Sequence, residues 1–506
     1  MKFNMKIFGR NKVTNYEGAE AFVLTPQMEL YSAVASTSLN DSFYEKADDR
    51  LLRIRKLIAQ NDAAFVAKLA VYAREEMYLR SVPLALAVEL AKTSGGKTEV
   101  SKTVARVVQR ADEITELLAY YQLANNRKGV KKLNKLSKQV QKGLAVAFNK
   151  FDEYQFAKYN RDAEVKLRDA LFLVHPKAKD EAQQVLFNKI AKDELKVADT
   201  WETKLSATGQ KDFANEAEKL DAKKVAWEEM IMSGKMGYMA VLRNLRNILD
   251  AKVSEQAIQK VCSYISNANA VAKSKQFPFR FVSAYRELKN VNSGYAAQVL
   301  DALEDAITAS AANIAGYDGN TSVVVAVDFS GSMQTAMSAK SSVQMYEVGL
   351  IMAMLLKSRC KNVVTGIFGD NYKIISVPSK SILANVETFR NRLGEVGHST
   401  YGYKVIQDLI NRKAVVDKVM VFTDLQMYNE NGNYGQTIAS EWKKYKAIAP
   451  NAKIYLFDLA GYGNSPLNIE GNDVFMMAGW SDKVFDVLHA IENGSNAVAE
   501  IEKIEL

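Results

Sequence analysis

Cysteine is nearly missing from this chain. Its 506 residues include two, Cys262 and Cys360, far apart and without a C-x-x-C companion. That excludes a disulfide scaffold and a cysteine zinc site and leaves two buried free thiols as the expectation. Histidine is as scarce, at three. The motifs G-x-S-x-G, H-E-x-x-H and the P-loop are missing too, so no catalytic centre is visible and a non-enzyme is expected. No apolar run approaches the ~18 residues of a membrane span. The longest, Gly349 to Leu356, reads as a buried helix. The opening stretch MKFNMKIFGRNK carries positive charges with no apolar stretch behind them, so a secretory signal is not expected and the cytoplasm is the expected location. With 48% hydrophobic and 25% charged residues, the chain is not disordered throughout, and its length suits two to four domains.

Glycine and proline are unevenly spread. Residues 1 to 315 hold 10 Gly and 4 Pro, against 16 Gly and 3 Pro in the 191 that follow, so long unbroken helices suit the first part only. Residues 62 to 79 place Phe65, Leu69, Tyr72, Ala73 and Met77 on one helical face. Pro83 can open the next helix, and Gly95-Gly96 stops it. The spacing then predicts one continuous helix over 103 to 124 and further helices around 181 to 195, 236 to 250, 254 to 265 and 296 to 315. Helix after helix with no strand signal predicts an α-solenoid. Because no crisp fixed period emerges, a compact helical bundle is the alternative.

Charge separates the same two parts. Residues 1 to 315 carry 49 basic and 38 acidic side chains, a surplus of eleven, whereas 316 to 506 carry 18 and 20. A basic half hints at a polyanionic partner. Within it, residues 127 to 142, RKGVKKLNKLSKQVQK, contain Arg127, Lys128, Lys131, Lys132, Lys135, Lys138 and Lys142 and no acid. Leu133, Leu136 and Val140 give this stretch an inward side, so a cationic helix face results that suits phosphates, held by charge rather than base identity.

The texture changes at residues 315 to 320, AGYDGN, which read as a linker. Behind it, Ser322 to Val327, SVVVAV, is apolar on both faces and predicts a buried parallel strand. Further strands are predicted at 362–368, 418–423 and 453–459, with helices at 345–358, 388–393, 402–411 and 438–448. This alternation implies an α/β doubly wound sheet with its ligand site at the carboxyl ends of the strands.

At the end of the first of those strands stands Asp328-Phe329-Ser330-Gly331-Ser332. A carboxylate and two hydroxyls at alternate positions of a tight loop can converge on one hard cation that prefers oxygen. Two later loops offer matching oxygens: residues 397 to 402, with Ser399 and Thr400, and the strand end at Asp424.

This pattern closely resembles the metal-ion-dependent adhesion site (MIDAS) of von Willebrand factor A-like, Rossmann-like domains, over residues 318 to 506. The resemblance implies Asp328, Ser330, Ser332, Thr400 and Asp424 as ligands of one Mg²⁺ or Mn²⁺, with Ser399 the alternative to Thr400. Neutral hydroxyls leave such an ion electrophilic, in search of an outside oxygen.

Segments of the first part, among them Asn15-Tyr16-Glu17-Gly18, Arg110-Ala111-Asp112-Glu113-Ile114, residues 167 to 177 (LRDALFLVHPK) and residues 239 to 247 (MAVLRNLRN), resemble in their order the TROVE module of the Ro autoantigen family. That family is shared with telomerase-associated and vault proteins. The resemblance implies a ring of HEAT-like repeats over 1 to 315, closed by the adhesion-type domain of 316 to 506. It implies binding of small structured noncoding RNA of the Y class on the basic surface, with single-stranded 3′ ends of defective RNA entering the hole. Lys158, Arg161 and His175 would touch RNA, and Asp162 departs from a relative's basic residue. It further implies a monomer and, through RNA, the exoribonuclease polynucleotide phosphorylase as partner in RNA decay or maturation. The competing expectation is a metal-dependent protein-adhesion scaffold that grips an acidic partner.

Overall fold

The computed structural model describes residues 12–37, 45–94, 98–126, 136–160, 164–312, 314–337, 341–429 and 435–506. By contacts the chain falls into two compact units, Met1–Arg50 with Lys211–Ala497, and Leu51–Gln210 with Val498–Leu506. This division differs from the composition break near 315. Among the helices after Lys211, Phe279–Lys289 and Ala296–Ser310 both pack on Ile382–Arg390, a helix in the same unit as the sheet.

The unit around Leu51–Gln210 is helical. Ala63–Glu75 packs on Ser81–Thr93 and on Thr98–Val107, Ser81–Thr93 packs on Ala111–Ala124, and Thr98–Val107 packs on Lys138–Phe148. Each helix thus rests on its neighbour and on the one beyond, the layering of stacked helix pairs in a HEAT-like solenoid. The helices cross closely at Gly143, where a Cβ would lie 2.6 Å from the Ser101 carbonyl oxygen and from Val104. The carboxyl-terminal residues return to this unit, with Lys68 Nζ 2.9 Å from a Glu502 carboxylate oxygen.

The helix expected over 103 to 124 is two helices. Thr98–Val107 ends, Arg110 is extended, and Ala111–Ala124 begins. The cause is Glu113, which is fully buried and accepts from the Gln109 and Arg110 amides at 2.8 and 3.1 Å while pairing with buried Arg74 at 2.8 Å. Capping by a buried residue beside the apolar stripe stops one helix and starts the next.

In the other unit a six-stranded sheet runs in the order β5-β4-β3-β6-β7-β9. Here β3 is Ser322–Asp328, β4 Asn362–Phe368, β5 Tyr372–Ile374, β6 Lys418–Thr423, β7 Lys453–Asp458 and β9 Val474–Ala478. All neighbours are parallel except β4 and β5. β3 is buried on both faces, as its β-branched run requires. Met345–Arg359, buried along nearly its whole length, crosses from β3 to β4.

Three expectations need correction. The first part of the chain contains strands: β1 (Lys12–Thr14) and β2 (Glu20–Val23) form a small antiparallel sheet with β8 (Asn464–Ser465). The helix expected at 388–393 lies at Ile382–Arg390, because Glu304, from a helix distant in sequence, caps its first turn at Leu383 and Ala384, 3.1 and 2.8 Å. Finally, the stretch read as a linker, residues 315 to 320, is packed: Gly316 lies against the Arg359 main chain and the Tyr317 carbonyl accepts from the Lys361 amide at 3.1 Å. Cys262 and Cys360 are buried free thiols.

Candidate functional site

The chain leaves β3 in one direction to reach β4 and later returns to its other side to lay down β6. The strand order therefore reverses between β3 and β6, and their carboxyl-end loops flank the crevice where open α/β sheets bind ligands. Asp328 and Asp424 stand at those two ends. The loop carrying Ser399 and Thr400 joins them: Gly331 N donates to the His398 carbonyl at 2.8 Å, and Tyr428 N to the Thr400 carbonyl at 2.9 Å. All five candidate donors, Asp328, Ser330, Ser332, Thr400 and Asp424, are buried.

Their bonding is unfinished. Asp328 accepts from the Ser330 amide at 2.9 Å and the Thr423 hydroxyl at 2.6 Å, and the Ser330 and Ser332 hydroxyls are 3.3 Å apart. Asp424 accepts from the Gln426 amide at 3.0 Å through one oxygen, and its other oxygen is buried with no hydrogen-bond partner. Burial raises the pKa of both carboxyls, and at Asp424 the Asp328 charge adds to the rise. An orphaned buried carboxylate oxygen beside a second carboxylate and several hydroxyls fits a hard divalent cation. Among the described residues no three His, Cys, Asp or Glu side chains converge, so hydroxyls would have to complete such a shell. The Ser399 hydroxyl and amide both bond Asp370, the amide at 2.8 Å, which favours Thr400 as the donor from this loop.

A part of this neighbourhood escaped the sequence reading. The turn after β1 lies on the loop after β6: Asn15 Nδ2 donates to the Met427 carbonyl at 2.8 Å and Tyr16 N to Gln426 Oε1 at 2.9 Å. Tyr31 and Ser32, in the helix Pro26–Ala35, bond Ala478 and Asp458 at two further strand ends. The signal available was Asn15-Tyr16-Glu17-Gly18, legible as a family segment but not as a neighbour of a strand edge four hundred residues on.

Of the candidate RNA contacts, Arg127, Lys128, Lys131, Lys132, Lys135 and Arg161 lie outside the described residues. Lys138 and Lys142 are exposed on Lys138–Phe148, whose inward side is Val140, Leu144 and Ala147. Gln141, between them, donates to the Leu173 and Val174 carbonyls at 3.1 and 3.2 Å, which brings these lysines to the end where His175 stands. His175 is exposed and caps the helix Leu167–Val174 in the left-handed conformation, φ 50°. Lys158 is exposed on the separate helix Glu153–Tyr159, beside the rings of Tyr154 and Tyr159.

A unit of stacked helices and a unit built on a doubly wound sheet, with oxygen donors at its switch point, define a two-part class of protein. The TROVE domain model matches residues 24–226 and 194–344, and the Ro60 vWA domain model matches 322–491. The chain belongs to the TROVE family, a family of RNA-binding proteins. The crystal structure of the Ro (RSR) protein of Deinococcus radiodurans is similar in fold, with a TM-score of 0.58 at 17% identity over 93% of this chain and 100% of that one. Telomerase protein component 1 of Mus musculus is 33% identical over 99 residues, 20% of this chain and 3% of that protein, and the Rattus norvegicus protein matches equally. The chain thus spans about 3% of the length of these curated relatives.

Proposed function

We propose that this chain is a non-catalytic RNA-binding protein. Its ligands are small structured, Y-like noncoding RNA and the single-stranded 3′ ends of misfolded RNA, and its role is RNA quality control, decay or maturation in the cytoplasm. The observation that carries the reading is the TROVE match across residues 24–344. The exposed lysines at 138 and 142 support it, since they gather near His175 without a neutralising acid in their own stretch. Phosphates are the partners such lysines suit, and an exoribonuclease such as polynucleotide phosphorylase would be recruited through the RNA. No helix among the described residues is long and apolar enough to cross a membrane.

The domain from 316 onward holds one Mg²⁺ or Mn²⁺ through Asp328, Ser330, Ser332, Thr400 and Asp424. Bound there, the ion supplies a Lewis-acidic point for an oxygen ligand. A second reading, an adhesion scaffold gripping an acidic partner, draws on the same neutral hydroxyls. Electrophoretic shifts of a structured RNA at one stated salt concentration separate the two. Changing Lys138 and Lys142 to Glu should weaken binding and flatten its salt dependence, while a folded Asp328→Ala protein should bind RNA as wild type does. The reverse pattern overturns the RNA reading.

A further inference from the structure

A hollow of about 200 Å³ opens in the helical unit where Ala111–Ala124 meets Glu153–Tyr159 and the approach to Leu167–Val174. Phe156 and Val165 line it and are fully buried, so its floor is apolar and fixed. Half-buried Ala119 also lines it, at a place where a larger side chain would fill the space. Around this apolar floor stand Asp112, Glu116 and Glu164 with the Tyr159 ring, and no Lys or Arg is among the described lining residues. Yet the hollow belongs to the part of the chain that carries the basic surplus. Its acids are unequally answered. Asp112 pairs with Arg110 at 2.9 Å, and Arg80 reaches Asp112 and Glu116 at 3.4 and 3.8 Å. Glu164 is exposed and has no hydrogen-bond or ion-pair partner among the described residues. Tyr159 shows what its ring attracts: the Arg110 guanidinium lies 4.4 Å and Lys158 Nζ 5.5 Å from its centroid.

We infer that this hollow seats an arginine side chain presented by a basic segment of a partner protein. The aliphatic stem lies on Phe156 and Val165, as long cationic side chains do on apolar surface. The guanidinium meets the unanswered Glu164 carboxylate, which its planar fork can engage at two points, with the Tyr159 ring beside it. A lysine offers neither the fork nor the plane. The volume falls below the roughly 300–1,000 Å³ of a drug-sized ligand site and suits one long side chain, not a polyamine with charges spaced along its length. Phosphate is repelled by the three acids, so the hollow takes a partner that leaves the lysines at 138 and 142 free for RNA.

Saturation-transfer NMR on the full chain tests this, with N-acetyl-arginine amide as the probe that stands for a peptide-borne arginine. It should bind with a dissociation constant on the order of 1 mM, and N-acetyl-citrulline amide, alike in shape and uncharged, should not bind. Glu164→Gln should weaken the probe by about two- to fivefold, the range of an exposed ion pair. Ala119→Leu, which places a side chain in the hollow, should abolish binding. Both variants should melt as wild type does and shift a structured RNA as wild type does. A wild-type protein that does not bind the probe overturns the proposal, and so does binding that either variant leaves unchanged. Equal binding of the citrulline amide, the corresponding lysine amide or spermidine overturns the choice of arginine. Tighter binding of free arginine than of the capped probe makes the ligand a small molecule and overturns the protein partner. A lost RNA shift in a folded Ala119→Leu protein assigns the hollow to RNA and overturns the proposal as well.

Discussion

The side-chain amide of Asn15 donates to the main-chain carbonyl of Met427 at 2.8 Å, across 412 residues of sequence, and both residues are buried. The same side chain closes the Asn15 to Ala19 turn through its oxygen. Asn15→Ala should therefore leave a buried carbonyl and two amides without their partner and cost about 1–3 kcal/mol. Urea denaturation of the full chain, comparing midpoints at constant slope, measures this, and a midpoint within error of wild type would refute the assignment.

Arg286 holds two carboxylates. It contacts Glu347 and lies 2.7 Å from Glu387, with both acids nearly buried; Arg390 and Lys289 stand at 3.1 and 3.4 Å as partial substitutes. Arg286→Met should destabilise by about 3 kcal/mol at pH 7, the low end for a broken buried pair, because those substitutes remain. Burial alone would raise the Glu387 pKa, but Arg286, helped by Lys289 and Arg390, holds it below the ordinary carboxylate range. A depressed carboxylate stabilises the fold above its unfolded pKa and loses that contribution as pH falls through its folded value. The gap between wild type and Arg286→Met should narrow below about pH 4. A gap constant from pH 7 to 3, followed by chemical denaturation, would count against the ion-pair account.

Gly316 and Gly319 bracket the passage into β3, and only one is crowded. A Cβ at Gly316 would lie 1.7 Å from the Arg359 carbonyl oxygen, whereas nothing stands within 4 Å of one at Gly319. Gly316→Ala should cost on the order of 1–3 kcal/mol as the main chain shifts. Gly319→Ala should stay within about 0.5 kcal/mol. Thermal melts that rank the two variants in the opposite order would show that this junction gives way freely.

What the sequence made legible follows from where the physics is local. β3 declared itself because burial on both faces demands an unbroken β-branched run, and Asp328, Ser330 and Ser332 because their spacing sits directly behind it. Strand and helix periods located the loops that hold Thr400 and Asp424, whereas their choice as ligands came from the family resemblance, with Ser399 the alternative to Thr400. The break at 108–110 was hidden, since Glu113 looks like one more polar residue beside an apolar stripe and acts as a cap only once Arg74 is packed against it. The small sheet of β1, β2 and β8 was hidden more deeply. Its strands are three, four and two residues long, too short for any alternation to register, and its pairing partner lies at the far end of the chain.

Metal uptake should register as stability. A ligand that binds only the folded chain adds about 2.7 kcal/mol at a hundred times its dissociation constant. Saturating Mg²⁺ should therefore raise the melting temperature of the metal-free protein, and EDTA should reverse the rise. Asp328→Ala should melt at one temperature with or without Mg²⁺. An equal Mg²⁺ response in that variant would place the ion elsewhere.

Selection of RNA follows from what each part of the proposed surface can grip. Lysines such as Lys138 and Lys142 hold phosphates in any sequence, so they favour a structured RNA without discriminating its end. The 3′-end grip that the family resemblance implies suits only an unpaired strand, whose bases and backbone are open to contact. The preferred ligand should then be a hairpin carrying a free single-stranded 3′ tail. In a gel-shift competition at one fixed salt concentration, that hairpin should displace a labelled RNA at lower concentration than the same hairpin blunt-ended. Moving the tail to the 5′ end should remove the advantage. Reversing the charge of Lys138 and Lys142 should weaken both hairpins by a similar factor, because it removes the shared phosphate grip. If the blunt hairpin competes as well as the tailed one, 3′-end capture is wrong and only surface binding remains.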